Sequence, residues 1–156
     1  MCIHIKQKTT LKKITGTPFE NVLLIDDEEI DNLINERLMQ VAYFAEKVHV
    51  RTSVPSALNF LYTVLNKGEG IPEVIFLDLH LPQHDGFHFL LEFKQMLLKY
   101  DELKNTRIVI LSAFINKYPD HLLDAHNFIM DKVNKPLREE VLEDLKRKHT
   151  LQAIAS

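Results

Sequence analysis

The chain of 156 residues has a single cysteine, Cys2, which excludes an internal disulfide framework and favours a reducing compartment. The formal net charge is only −3, so no overall basic field favours nucleic acid as a partner. No apolar run approaches the length of about 20 residues that spans a bilayer. Lysines also interrupt the N-terminus, where a secretory signal needs an unbroken apolar core. We therefore expect a cytoplasmic protein that neither binds DNA directly nor enters a membrane.

The composition is that of a globular domain, with 46% hydrophobic and 26% charged residues. The length fits one domain with little left over. Residues 1–18 contain four lysines and no acid, which is typical of a tail or an irregular lead-in. We predict one domain over residues 19–150, followed by a short C-terminal tail over residues 151–156.

Short apolar runs alternate with segments of helical periodicity along this domain. Strands are predicted at residues 22–25, 47–52, 74–77, 107–111 and 128–133. Apolar residues of the first predicted helix recur at helical spacing, which predicts that they form its core-facing side: Ile30, Leu33, Ile34, Leu38 and Val41. Five strands separated by helices predict an α/β fold, a doubly wound parallel sheet with right-handed crossovers and helices on both faces.

Polar residues follow the predicted strands where a ligand of such a sheet would bind. Asp26 and Asp27 follow the first strand and Asp78 the third, while Ser112 and Lys135 follow the last two. Ligands of doubly wound sheets bind beyond the carboxyl ends of the strands, so these side chains should meet at one edge. Clustered carboxylates repel unless a cation neutralises them or one of them takes up a proton, and oxygen ligands favour a hard ion such as Mg²⁺ or Mn²⁺. Together with a hydroxyl and an ammonium, they suit phosphoryl transfer, with a carboxylate as nucleophile.

Four motifs stand in order along the chain, and each marks the end of a predicted strand. They are Leu24-Ile25-Asp26-Asp27-Glu28, the run from Phe76 through Asp78 to Leu81-Pro82-Gln83-His84-Asp85-Gly86, the pair Ser112-Ala113, and Lys135-Pro136. In these motifs the chain resembles the receiver domains of two-component response regulators, over residues 21–148. The resemblance implies a flavodoxin-like fold with five parallel strands in the order 2-1-3-4-5.

The resemblance also implies a role for each matching residue. Asp78 would be the phosphoacceptor, and Mg²⁺ or Mn²⁺ would be held by Asp26, Asp27, Asp78 and the backbone carbonyl of His80. Ser112 and Lys135 would bind the phosphoryl oxygens. The Lys135–Pro136 peptide bond would be cis, which only about 5–6% of such bonds are.

For partners, the resemblance implies a sensor histidine kinase or a phosphotransfer protein as donor and a downstream protein as target. Contacts, including a homodimer, are expected on the face made by the fourth helix, the fifth strand and the fifth helix. The chain would catalyse only its own phosphorylation and dephosphorylation and would not be a metabolic enzyme. Two alternatives stay open: a phosphate-independent pseudo-receiver, and a small Mg²⁺-dependent aspartyl phosphohydrolase, which is disfavoured because position 80 is histidine and not an acid.

Three positions depart from the receiver pattern or leave a role open. Receivers often carry an aromatic switch residue three positions before the lysine, whereas this chain has Lys132 there. His80 and Phe114 stand two residues after Asp78 and Ser112, where they would flank the path of water to an acyl phosphate. We expect them to alter the lifetime of the phosphoryl group.

Overall fold

The computed structural model describes residues 18–81, 83 and 85–155. Residues 1–17 lie outside this range, and they include Cys2 and most of the predicted N-terminal tail. Pro82 and His84 of the second motif lie outside it as well. Strands and helices alternate along the chain as β1 (Phe19–Ile25), α1 (Glu29–Val41), β2 (Ala45–Arg51), α2 (Val54–Lys67), β3 (Val74–Leu77), α3 (Gly86–Lys99), β4 (Arg107–Ser112), α4 (Asp120–Asp124), β5 (Ile129–Asn134) and α5 (Glu139–Ala155).

The five strands form one parallel sheet in the order β2-β1-β3-β4-β5, which confirms the predicted fold and strand order. The chain crosses from β2 over β1 to β3, so β1 and β3 are central neighbours. Their registers pair Leu24 with Phe76 and Ile25 with Leu77. Both strands therefore end at the same level, and the residues that follow them emerge side by side.

Two hydrophobic clusters sandwich the sheet, because successive side chains of a strand point to opposite faces. Leu23 and Ile25 of β1 belong to the cluster that contains α2 and α3, whereas Val22 and Leu24 belong to the cluster that contains α5. All four residues of β3 are buried. Burial on both faces explains why β1, β3 and β4 are near-continuous apolar runs in the sequence.

The prediction for α1 was wrong about which side of the helix is buried. Ile30, Leu33 and Ile34 are 72%, 68% and 57% exposed, and Val41 is exposed too. Of the five predicted residues, Leu38 alone is packed against the core, and it is only partly buried. The helix instead buries Asn32, Asn35 and Met39.

A hydrogen bond accounts for the inward position of one of these polar residues. The Asn32 side-chain amide donates to the backbone carbonyl of Asp26 at 2.7 Å. Buried carbonyls need a donor, and Asn32 supplies one directly after β1. The exposed residues of α1 consequently form an apolar stripe at the surface, here named the α1 stripe and defined as Ile30, Leu33 and Ile34.

The C-terminal helix α5 is longer than the sequence predicts. It continues to Ala155, so residues 151–155 are helical where a short tail was expected. Within the described residues, no helix is both long enough and apolar enough to cross a membrane.

Candidate functional site

Asp78 follows β3 directly and lies at the carboxyl edge of the sheet. Its backbone N–H donates to the Ile25 carbonyl at 3.0 Å, which ties it to the end of β1. Its side-chain Oδ1 accepts the backbone N–H of His80 at 2.9 Å. Because this side chain is only 6% exposed, the carboxylate is held in one orientation and is largely removed from water.

Gly86, at the start of α3, allows the chain to pass close to this strand end. A Cβ atom at position 86 would lie 2.6 Å from the Leu79 Cα and 2.8 Å from the Asp78 carbonyl oxygen. Real Cβ atoms do not approach backbone atoms so closely. The glycine of the second motif is therefore required for the loop after Asp78 to close against α3.

Three carboxylates converge at this edge, as the order of strand ends predicts. One oxygen each from Asp26, Asp27 and Asp78 lies within 4.8 Å of the others. Asp26 is fully buried and Asp27 is half-buried. At this separation each pair of charges repels by about 3.5 kcal/mol at an effective dielectric constant of about 20. A cluster of this kind is stable only with nearby positive charge.

Lys135 supplies positive charge at the centre of the cluster. Its Nζ lies 2.6 Å from Asp26 Oδ2, 3.1 Å from Asp78 Oδ2 and 3.3 Å from Asp31 Oδ2. The lysine backbone N–H donates to the Ser112 carbonyl at 2.9 Å, which links the ends of β4 and β5. The Lys135–Pro136 peptide bond is cis, as the resemblance implies.

The pKa values of the two central groups move for different reasons. Burial raises the pKa of Asp78, and the neighbouring Asp26 adds to this, while the His80 N–H and Lys135 act in the opposite direction. Burial by itself would lower the pKa of Lys135, but its contacts with Asp26 and Asp78 outweigh burial and raise that pKa. The lysine is therefore a permanent cation, whereas Asp78 is less acidic than an ordinary aspartate.

Ser112 ends β4 at the same sheet edge and is 1% exposed. Its hydroxyl oxygen accepts the backbone N–H of Phe114 at 3.2 Å, and the hydroxyl hydrogen remains to donate. Ser112 also lies in register with Asn134, the residue before Lys135. The predicted hydroxyl and ammonium thus emerge from neighbouring strands.

Sequence reasoning missed Asp31, the fourth carboxylate of the site. It lies in the first turn of α1, four residues after Asp27, and its side chain is 43% exposed. Acids are common in the first turn of a helix because the dipole favours them, so the sequence offers no separate signal for this one. Only the fold shows that its carboxylate reaches Lys135.

Of the three positions with an open role, Lys132 is half-buried, whereas His80 and Phe114 lie at the surface. The Lys132 Nζ pairs with Asp120 at 2.8 Å and Asp124 at 3.1 Å, so it links β5 to α4. His80 is exposed and Phe114 is 59% exposed, next to the buried site residues. Their predicted effect on the phosphoryl lifetime stays a prediction.

The donor set fits a hard divalent cation. Three oxygen donors from Asp26, Asp27 and Asp78 converge, two of them from buried side chains. Mg²⁺ and Mn²⁺ prefer oxygen ligands, and Mg²⁺ is commonly held by few carboxylates with waters and phosphate oxygens completing the shell. The site can therefore hold such an ion.

The fold has counterparts among known structures. A two-component response regulator from Cytophaga hutchinsonii matches with a TM-score of 0.74 at 26% identity, over 84% of this chain and 96% of that one. The chain has the fold of response-regulator receiver domains. A CheY-like receiver domain from Methylobacillus flagellatus shares the receiver fold at 19% identity, with a TM-score of 0.65 over 84% of this chain and 98% of that one.

A third receiver structure was determined with a metal. The Mn²⁺-bound form of the response regulator Rcp1 matches with a TM-score of 0.59 at 22% identity, over 83% of this chain and 88% of that one. At this identity the match shows that the two proteins share the receiver fold.

Two curated proteins with similar sequences are a sensor kinase and a probable regulatory protein. The sensor histidine kinase CheAY of Helicobacter pylori is 25% identical over 123 residues, which are 78% of this chain. The match takes up only 14% of the kinase. The probable methanogenesis regulatory protein FilR2 of Methanothrix harundinacea is 27% identical over 127 residues, 81% of this chain and 76% of that protein. No family model matches this chain.

Proposed function

We propose that this receiver accepts a phosphoryl group on Asp78 in a reaction that depends on a divalent cation, and that it relays the signal through protein contacts. The single observation that carries the proposal is the surroundings of Asp78. Its carboxylate lies 3.1 Å from the Lys135 ammonium and within 4.8 Å of two further carboxylates at the sheet edge.

The donor is a phosphohistidine of a sensor kinase or a phosphotransfer protein. An Asp78 oxygen attacks the phosphorus, and a new O–P bond forms as the P–N bond to the imidazole breaks. The imidazole leaves with the electron pair of that bond and takes up a proton. The product is an acyl phosphate on Asp78 and a neutral histidine on the donor.

The residues around Asp78 serve mainly to position and neutralise charge, which is what phosphoryl transfer requires. The Lys135 ammonium and the Ser112 hydroxyl would each donate to a phosphoryl oxygen, while the His80 N–H holds Asp78 in orientation. Asp26, Asp27, Asp78 and the His80 carbonyl would hold Mg²⁺ or Mn²⁺, which when bound supplies positive charge for the carboxylates and the phosphoryl oxygens. The chain acts on its own side chain and is not a metabolic enzyme.

The α1 stripe supports a protein as the phosphodonor. Its three apolar residues are exposed, and Asp31, which contacts Lys135, lies within the same two turns of α1. Exposed apolar clusters beside a site mark protein contacts. A partner protein that binds this stripe would bring its phosphohistidine close to Asp78. The downstream target, or a second copy, would use the face formed by α4, β5 and α5.

The test is the intact mass of the purified chain after incubation with phosphoramidate, a small donor with a P–N bond, and MgCl₂. We expect a gain of one phosphoryl group that is lost in Asp78→Asn and after chelation of the metal. Asp101→Asn is the matched control, because it removes an exposed aspartate of a remote turn. A gain that persists in Asp78→Asn would assign the acceptor elsewhere, and no gain in the wild type would refute the proposal.

A further inference from the structure

The Lys135 ammonium has three N–H donors and three carboxylate partners. Asp26 and Asp78 are the closer two, at 2.6 and 3.1 Å, and their side chains are 0% and 6% exposed. Asp31 is the third, at 3.3 Å, and its side chain is 43% exposed. The contacts with Asp78 and Asp31 are hydrogen bonds, whereas Asp26 Oδ2 lies at ion-pair distance without hydrogen-bond geometry.

A phosphoryl group on Asp78 needs one of these donors. Asp26 gives up the ammonium less easily, because it is fully buried and water cannot take the place of the lysine. Asp78 carries the phosphoryl group itself. Asp31 is partly in water, so solvent can replace the lysine at a much smaller cost.

We infer that Asp31 is the exchangeable counter-ion of Lys135: it occupies one ammonium donor in the resting state and is displaced by a phosphoryl oxygen when Asp78 is phosphorylated. This inference rests on the proposed function. Asp31 is a positioning residue, since it acts through Lys135. Its negative charge also opposes the arrival of an anionic phosphoryl group, so the acid slows phosphorylation.

A simpler explanation is that Asp31 only stabilises the N-terminus of α1 through the helix dipole. Glu29 separates the two explanations, because it is also an acid in the first turn of α1. The ion pairs of Lys135 involve Asp26, Asp31 and Asp78 but not Glu29 in the part of the chain that the structure describes. Glu29→Gln therefore removes the same charge from the same turn without freeing the lysine.

The experiment measures the rate of Asp78 phosphorylation by phosphoramidate, at saturating MgCl₂, in the wild type, Asp31→Asn, Asp31→Glu and Glu29→Gln. Removing one unit charge a few ångströms from the phosphoryl group should make Asp31→Asn about fivefold to tenfold faster at low salt. High salt should shrink this difference, because Asp31 is partly exposed. Asp31→Glu should restore a rate close to that of the wild type, and Glu29→Gln should stay within about twofold of it.

Affinity for beryllofluoride, an anionic mimic of the phosphoryl group, gives a second measurement that does not depend on turnover. We expect tighter binding by Asp31→Asn and unchanged binding by Glu29→Gln. Equal effects of the two substitutions would overturn the inference in favour of the dipole. So would an Asp31→Asn chain that is phosphorylated at the wild-type rate, and in both cases the proposed function would stand. A wild-type chain that takes up no phosphoryl group would refute the proposed function itself, and the inference with it.

Discussion

Replacing Asp27 by asparagine should stabilise the metal-free protein, although it removes a residue of the candidate metal site. Asp27 lies within 4.8 Å of Asp26 and Asp78. No ion pair of Asp27 occurs in residues 18–81, 83 and 85–155, whereas Asp26 and Asp78 both contact Lys135. The substitution therefore relieves repulsion without breaking an ion pair.

The size of the effect follows from the distance. Two unit charges 4.8 Å apart repel by about 3.5 kcal/mol at an effective dielectric constant of 20 and by about 0.9 kcal/mol in bulk water. Asp27 is half-buried and shares the field of Lys135, which offsets part of this repulsion. We expect the free energy of unfolding to rise by about 1–2 kcal/mol in the absence of divalent metal.

Urea unfolding followed by circular dichroism, with chelator and then with saturating MgCl₂, measures both parts of this prediction. The wild type should gain stability from the ion, because a ligand that binds only the folded state stabilises it. Asp27→Asn should gain much less, so the stability difference between the variant and the wild type should narrow or reverse. Asp101→Asn, a distant exposed aspartate, should match the wild type in both conditions. A metal-free Asp27→Asn protein that is less stable than the wild type would refute the electrostatic reasoning.

Three further predictions test other parts of the site. Gly86→Ala should lower the free energy of unfolding by about 1–3 kcal/mol, because the added Cβ would meet the backbone of Leu79 at 2.6 Å; unchanged urea stability would contradict that close approach. Burial raises the pKa of Asp78, so its ionised form destabilises the folded state at neutral pH. Asp78→Asn should therefore have a higher free energy of unfolding than the wild type at neutral pH. This difference should shrink as the pH falls through the raised pKa of Asp78 toward about 4. A difference that does not depend on pH would argue against a raised pKa. Lys132→Met removes both ion pairs between β5 and α4, so the backbone amides of α4 should exchange hydrogen faster at low salt. Amide exchange equal to that of the wild type would show that these ion pairs do not stabilise α4.

The sequence by itself determined the fold and most of the site. Strands buried on both faces appear as continuous apolar runs, so β1, β3 and β4 could be located without any structure. In a parallel sheet the residues after such strands must meet at one edge, which is why Asp26, Asp27, Asp78 and Lys135 were predicted to converge. These deductions need only the local pattern of the chain and the geometry of parallel strands.

Only the tertiary structure decided which side of α1 faces the sheet. Periodicity shows that Ile30, Leu33 and Ile34 lie on one side, but burial depends on what the neighbouring elements offer to that side. Here the carbonyl of Asp26 needs a donor, and Asn32 turns inward to supply it. The apolar stripe is left at the surface as a consequence.

The contact between Asp31 and Lys135 likewise belongs to the tertiary structure alone. The two residues are 104 positions apart, and an acid in the first turn of a helix has a sufficient local explanation in the helix dipole. The sequence therefore determined which strand ends meet. The fold decided which additional side chains reach that point, because helix rotation and side-chain reach are set by packing and not by spacing along the chain.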